Sequence, residues 1–226
     1  MNGTALKLGF WSALLAAVTF LVFTVCFVAV FIVNPPFTWT DLAGYVDYVQ
    51  HSNQTFKVVA QLSMLLFAPL YVILLNSIHE LASEDKQVLS RLALVFGALF
   101  ALLVGLFYFV QVTAVRWNVD RGTLQGIEQF IQSKPDAALA AANMLGWTLF
   151  FGLSSLFVAP VFTGRRLAGA IRVLFILNGI FCLLAGIGFV LDIALLVFVT
   201  INLGMGAAMT AATIMLAVYF RRLARP

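Results

Sequence analysis

The sequence predicts an all-α polytopic membrane protein, with six transmembrane helices arranged as three hairpins, a parallel internal repeat and two outer interfacial helices. Three observations predict this fold class. The chain is 63% hydrophobic and only 10% charged, it contains six long apolar segments without a charge, and one ten-residue phrase occurs twice. Soluble domains carry about 25% charged residues, so the composition excludes one. We expect residues 1–226 to form a single six-helix transmembrane domain.

The six uncharged segments cover residues 10–33, 58–78, 92–115, 138–163, 173–191 and 193–220. Crossing a hydrocarbon core about 30 Å thick takes about 20 helical residues, and each segment is close to or above that length. The segments must be helical because lipid offers no hydrogen-bond partner to backbone groups. The first is too long for the apolar region of a signal peptide, so we expect it to be retained.

The positive residues predict the orientation. Nine lie on the side of the termini (Lys7, Lys86, Arg91, Arg165, Arg166, Arg172, Arg221, Arg222 and Arg225), and four lie on the opposite side (Lys57, Arg116, Arg121 and Lys134). Short loops rich in lysine and arginine stay in the cytoplasm, so both termini are predicted to be cytoplasmic. The basic balance is explained by anionic lipid headgroups, and no nucleic-acid partner is expected.

The repeated phrase is "LSMLLFAPLY" at residues 62–71 and "LSSLFVAPVF" at residues 153–162. Upstream of each copy lie similar loops, "LAGYVDYVQ" from Leu42 and "LQGIEQFIQ" from Leu124, and downstream lie similar helix openings at Arg91 and Arg172. Three matches in the same order indicate a duplication with units of about 38–112 and 120–191. Matching helices run in the same direction, so the repeat is predicted to be parallel, about an axis along the membrane normal.

Both outer connections show helical spacing of apolar residues. In the first, Trp39, Leu42, Val46 and Val49 share a face, and Thr38 to Asp41 matches a capping signature. In the second, Leu124, Ile127 and Ile131 share a face, and Ser133 to Asp136 matches a cap for the next span. These interfacial helices act either as stiff braces or as a lid over an outward-facing cavity.

Proline and small residues predict features within the spans. Pro69 and Pro160 each remove a backbone hydrogen bond and kink a helix, either as a static shape or as a hinge for alternating access. Small residues at four-residue spacing predict close helix contacts at Gly97, Ala101 and Gly105 and at Gly204, Ala208 and Ala212.

The spans carry no chemistry that would identify an enzyme. None of the six segments contains an ionisable residue, which argues against a proton pump, a carboxylate-based cation carrier and a voltage sensor. His51 and His79 are predicted on opposite sides, and "HELASE" from His79 has Ser83 where a zinc motif needs histidine. Membrane serines bond their own backbone and have no base at their depth. We therefore expect no catalytic residue, no metal and no cofactor.

Neutral amides are the remaining polar groups in the outer halves of the spans: Gln61, Gln111, Asn143 and Asn202. They either bond between helices or converge to line a pocket beneath the outer helices. The residues expected around the mouth of such a pocket are Asp41, Tyr45, Tyr48, His51, Arg116, Trp117, Asp120, Arg121, Glu128 and Asp192. Each of these also fits an ordinary solvated or interfacial position.

The phrases "NPPFTW" after the first span, "AVRWNVDRG" after the third and "NMLGWTLFFGLSSLFVAPVF" in the fourth give the chain its overall pattern. In this pattern the chain resembles a family of uncharacterised bacterial six-span integral membrane proteins. The resemblance covers nearly the whole chain and implies a bacterial cytoplasmic membrane. It implies no activity, and it transfers no functional residue.

Three functions fit the sequence. The first is binding or transport of an apolar or weakly polar small molecule or lipid from the outer side. The second is a structural or accessory subunit, whose apolar surface docks in the bilayer onto another membrane protein or a second copy. The third is an interfacial enzyme that uses outer carboxylates such as Asp120 and Glu128.

Overall fold

Six helices in the computed structural model are long and apolar enough to cross a membrane. In chain order these spans are Gly3–Val33, Thr55–His79, Glu84–Arg121, Ala138–Val161, Leu167–Val190 and Ala194–Leu223. The structure describes residues 3–164 and 166–224, and all regular secondary structure in those ranges is helical. The prediction of an all-helical, multi-pass membrane protein is confirmed.

The spans form a closed ring. Each packs against its neighbours in the chain, and the first also packs against the sixth. This last contact lies near the termini, where a Cβ added to Gly9 would meet the Phe220 ring at 2.4 Å. We call the face with the termini the proximal face. The opposite, distal face carries the connections 34–54 and 122–137 and corresponds to the predicted outer side.

Aromatic side chains fill the centre of the ring, where the second, third and fourth spans meet. Phe100 stacks on Phe151 with ring centroids 4.6 Å apart, and Tyr71 meets Phe151 edge-on at 4.9 Å. Phe67 and Trp147 stack at 6.2 Å. Such pairs contribute about 0.5–1.5 kcal/mol each beyond their buried area.

Glycines allow close helix contacts, though not everywhere the spacing predicted. A Cβ on Gly97 would lie 2.3 Å from the Leu75 side chain, and one on Gly204 would lie 2.6 Å from the Phe181 ring. Gly105 has nothing within 4 Å, so its predicted contact is wrong. The fourth and fifth spans instead meet at Gly152 and Gly179. A Cβ added to Gly179 would lie 3.0 Å from the Gly152 carbonyl oxygen.

The two matching prolines lie in different structures. Pro69 is inside the helix Thr55–His79, which continues for ten residues beyond it. Pro160 lies in a terminal 3-10 turn, Ala159–Val161, after which Phe162 is extended and Gly164 has a φ of 107°. The expected kink within the fourth span is therefore wrong, because the helix ends where Pro160 interrupts its hydrogen bonds.

The first outer connection contains the predicted helix, at Leu42–His51. Its N-cap is Asp41, whose carboxylate accepts a hydrogen bond from the Gly44 backbone N–H at 2.7 Å. The cap predicted from Thr38 is wrong, because the first helical turn begins at Leu42 and only Asp41 is at the capping position. The Asn34 side chain donates to the Asn53 carbonyl oxygen at 3.0 Å and accepts from the Asn53 N–H at 2.8 Å, which holds the ends of this connection together.

The second outer connection is not an α-helix. It contains one 3-10 turn, Ile127–Phe130, which follows Gly126 in the left-handed region at a φ of 78°. The predicted apolar face is still buried, with Ile127 at 7% and Ile131 at 0% exposure. The next span is capped by Gln129, which accepts from the Ala138 N–H at 3.0 Å, and not by the Ser133–Asp136 signature. Glycine at a positive φ interrupts the helical spacing here.

Candidate functional site

Three π-helical segments shape the distal halves of the third, fourth and sixth spans. They are Gln111–Val115, Gly146–Phe150 and Val199–Met205. In a π-helical turn each backbone hydrogen bond spans one residue more than in an α-helix, so the side chains beyond the turn point in a different direction. Such turns are frequent at functional sites. Each segment contributes lining residues to one of two cavities on this side of the protein.

The upper cavity, of about 360 Å³, lies beneath the outer helix Leu42–His51. Its lining combines aliphatic, amide and charged side chains from the outer helix and the second and third spans: Tyr45, Val49, Gln50, Gln54, Lys57, Val58, Gln61, Gln111, Val115, Arg116, Val119 and Asp120. This cavity contains the mixed polar lining that the sequence predicted near the outer surface.

The middle cavity, of about 350 Å³, adjoins the upper one and shares Lys57 and Gln61 with it. Its walls are mostly aromatic or aliphatic and come from the first three spans and both outer connections, with Phe23, Phe27, Phe31, Phe37 and Tyr108 among them. The cavity is therefore apolar apart from the shared side and the Gln132–Ser133 edge.

The deep cavity, of about 150 Å³, shares Phe23, Phe27 and Tyr108 with the middle one. It contains Asn143 and Asn202, the two amides from the fourth and sixth spans. The Asn202 side-chain N–H donates to the Phe198 carbonyl oxygen at 3.1 Å, within its own helix. Among the described residues, the buried Oδ1 of Asn143 has no hydrogen-bond partner.

The four predicted amides thus separate into two pairs. Gln61 donates to Gln132 Oε1 at 2.7 Å, while Gln111 donates to the Phe130 carbonyl oxygen at 2.5 Å and accepts from the Gln132 N–H at 3.0 Å. These two glutamines hold the second outer connection against the spans, where a bond between helices was one expectation, and both also line the upper cavity. Asn143 and Asn202 lie in a different cavity.

The predicted mouth residues are also divided. Tyr45, Arg116 and Asp120 line the upper cavity, and Tyr48 lines the middle one. The other six, Asp41, His51, Trp117, Arg121, Glu128 and Asp192, line none of the three cavities. Asp41 is a helix cap, His51 pairs with exposed Asp47 at 3.2 Å, and Asp192 occupies a turn at a φ of 54°.

The remaining three of these residues face solvent or the membrane boundary. Arg121 lies 6.0 Å from the centre of the Trp117 ring, and Glu128 is exposed. Asp120 and Glu128 were the carboxylates considered for acid–base chemistry, and only Asp120 lines a cavity.

Lys57 is the most informative lining residue that sequence reasoning missed. It was counted among the loop charges, yet it lies in the first turn of the second span and lines two cavities. Helical spacing could have identified it, because Lys57, Gln61 and Met64 follow one another at intervals of four and three residues on one helix face. Met64 lines the deep cavity, so this face passes all three.

Electrostatics at the distal face involve two titrating groups outside the spans. Burial, and to a lesser extent the neighbouring Tyr48, raises the pKa of Tyr45 to about 12, so Tyr45 is a neutral phenol at physiological pH. A hydrogen bond from Lys134 lowers the pKa of the Asp136 carboxyl. Lys134 is itself buried against Trp39, at 6.0 Å from its ring centre, and Asp136 neutralises it.

No family model, curated protein or solved structure matches this chain.

Proposed function

We propose that the protein binds or transports an apolar or weakly polar small molecule or lipid, which enters from the distal side. The three adjoining cavities support this proposal, because they share lining residues from the outer helix down to Trp147. The upper and middle cavities fall within the range of about 300–1,000 Å³ that is typical of small-molecule sites. The walls of the middle cavity are largely apolar, and the amide and charged side chains of the upper cavity would orient a ligand.

The observation that carries the proposal is Asn143, which lines the deep cavity and whose buried Oδ1 has no hydrogen-bond partner among the described residues. A buried acceptor without a donor costs about 1–3 kcal/mol. Trp147, Phe20 and Met64 line the same cavity with apolar surface. A ligand that carries a hydroxyl or an amide N–H would satisfy this oxygen and pack against the same walls.

A route from the lipid supports the same function. The first span contacts the sixth through the segment Gly206–Leu223, whereas residues 194–205 of the sixth span pack on the fifth. The distal halves of the first and sixth spans are separated by the deep cavity, which both of them line. A molecule dissolved in the distal leaflet would reach Asn143 through this gap without crossing the polar surface.

We also propose that the chain arose by duplication, with repeat units of about 38–112 and 120–191, and that its spans are grouped as three hairpins. The repeated phrases, loops and helix openings support them. The two copies now serve different roles, since Pro69 lies within a helix and Pro160 at a helix end. Divergence of this kind would leave one asymmetric ligand path in place of two equivalent ones.

The test uses Trp147 as a fluorescent reporter of the deep cavity. In a variant with Trp11, Trp39 and Trp117 replaced by Phe, we expect dibromostearyl alcohol, brominated at mid-chain, to quench Trp147 saturably in lipid nanodiscs. In Asn143→Leu, loss of the hydrogen-bond acceptor raises the half-saturating concentration about ten-fold. The Tm should stay unchanged or rise, because an unpartnered buried oxygen is removed.

Asn76→Leu is the matched control, since Asn76 is exposed near the proximal end of the second span and should leave quenching unchanged. Quenching that grows in simple proportion to the probe, without saturation, would count against a binding site. A lower Tm in Asn143→Leu with unchanged quenching would assign Asn143 to packing.

A further inference from the structure

Lys57 lies at the junction of two cavities. Its side chain is half-buried in the first turn of the second span, and it lines both the upper and the middle cavity. Gln61, one helical turn deeper, lines the same two cavities. The Lys57 ammonium lies 5.3 Å from the centre of the buried Tyr45 ring, which covers it from the distal side.

No counter-charge neutralises this lysine among the described residues. No carboxylate lies within 4.0 Å of its Nζ, whereas Lys134, the other inward lysine of this face, is paired with Asp136. Asp120 and Arg116 also line the upper cavity without forming an ion pair, so the lining of that cavity carries one excess positive charge. Tyr45 supplies no phenolate, because burial raises its pKa to about 12.

The space beyond Lys57 is apolar. Lys57 is the one charged residue among the described lining residues of the middle cavity, whose walls include Phe23, Phe27 and Phe31. That cavity adjoins the deep cavity, which Met64 lines seven residues farther along the same helix face, at a depth of about 10 Å. A half-buried positive group therefore lies at the distal end of an apolar passage.

We propose that the ligand is an anionic amphiphile, a molecule with one acidic group that pairs with Lys57 and an apolar chain that lies in the middle and deep cavities. The assignment rests on the proposed function and names the chemical class of its ligand. A half-buried ammonium without a counter-charge is costly, and a charge-assisted hydrogen bond to a carboxylate or phosphate lowers that cost. Arg116 adds to the positive field that attracts such a group.

The experiment compares head groups on one chain, with the same Trp147 reporter. Dibromostearyl phosphate, which is ionised at neutral pH, is compared with dibromostearyl alcohol, and dibromostearic acid distinguishes a carboxylate from a phosphate. The bromines are at mid-chain, so quenching reports occupancy in either orientation. We expect the phosphate or the acid to reach half-saturation at about ten-fold lower concentration than the alcohol.

Lys57→Met should remove this preference and leave binding of the alcohol unchanged. Lys57→Arg keeps the positive charge and should retain the preference. This result would show that the loss in Lys57→Met comes from the missing charge and not from misfolding at this position. Lys7→Met is the matched control, because Lys7 is exposed at the proximal end of the first span. The preference should persist in it.

Equal binding of alcohol and anions by the wild-type protein would overturn this inference and leave the proposed function intact. A preference that survives in Lys57→Met, or that is lost only in Arg116→Gln, would also overturn it. Absence of saturable quenching by all three probes would overturn both the inference and the proposed function.

Discussion

Two serines at the same position of the repeated phrase form different bonds. Ser63 donates to the carbonyl oxygen of Val59 in its own helix, at 2.8 Å. Ser154 donates to the carbonyl oxygen of Ala93 in the third span at 2.8 Å, and its hydroxyl lies 3.0 Å from that of Tyr71 in the second. Membrane serines commonly bond their own helix, so Ser154 departs from the expectation. It connects three spans through one hydroxyl.

We predict that Ser154→Ala lowers the free energy of unfolding by about 1 kcal/mol, because two buried groups on other spans lose their partner. Ser63→Ala is the control, and we expect it to change that free energy by less than about 0.5 kcal/mol. Equilibrium unfolding in mixed micelles with increasing denaturing detergent measures both. Equal effects of the two substitutions would contradict a connecting role for Ser154.

At the scale of helices, close approach depends on which glycines face a neighbour. Gly152 and Gly179 bring the fourth and fifth spans together, with Cys182 and Leu156 packed around them. Gly105 belongs to a small-residue stripe with the same spacing as a contact motif, yet it faces a shallow groove at the lipid side. Spacing identifies a flat helix face, and only packing decides whether another helix covers it.

We predict that Gly179→Ala destabilises the protein by about 1–3 kcal/mol, because its Cβ would lie 2.5 Å from Leu156 Cγ and 3.0 Å from a backbone oxygen. Gly105→Ala should leave stability unchanged or raise it by up to about 1 kcal/mol, through the higher helix propensity of alanine. The Tm of each purified variant in detergent measures the difference. A Gly179→Ala variant as stable as the wild type would show that the two helices separate readily.

For the whole molecule, the first and sixth spans meet near the proximal face, and the cavities lie toward the distal face. The Gly9–Phe220 contact closes it near the termini. Three cavities lie in the distal half, beneath a cap formed by Leu42–His51 and the turn at Ile127–Phe130. Tyr45, Val115, Val119, Ile127 and Ile131 hold this cap together as a second apolar cluster, separate from the core. The cap therefore has its own packing and covers the cavities as a unit.

The charge distribution predicts that the capped distal face is extracytoplasmic and that both termini are cytoplasmic. In intact cells, a membrane-impermeant maleimide should therefore label Glu128→Cys, and label Glu84→Cys only after permeabilisation. Both positions are exposed, and the native Cys26 and Cys182 are buried, so background labelling stays low. The reverse pattern of labelling would show the opposite orientation.

Much of the outline of this protein was predictable from the order of its residues. The length of an apolar run and the absence of hydrogen-bond partners in lipid determine a membrane helix, and both are one-dimensional properties. The buried faces at Ile127 and Ile131 and the outer helix at Leu42–His51 followed from periodicity in the same way. The prediction of a helix in the second outer connection was wrong, because Gly126 has a positive φ and interrupts the helical spacing of apolar residues there.

Which side chains meet was decided only by the tertiary structure. The rotation of each span about its axis separates Gln61 and Gln111 from Asn143 and Asn202, and it directs Lys57 toward two cavities. Three π-helical segments change that rotation within a span, and no local sequence signal marks them. The sequence by itself determined that the chain has six helices long and apolar enough to cross a membrane, whereas several of them extend beyond their predicted ends, as at Gly3 and Glu84. The site depends on contacts between residues far apart in the chain, because only packing among several spans sets the direction in which each side chain points.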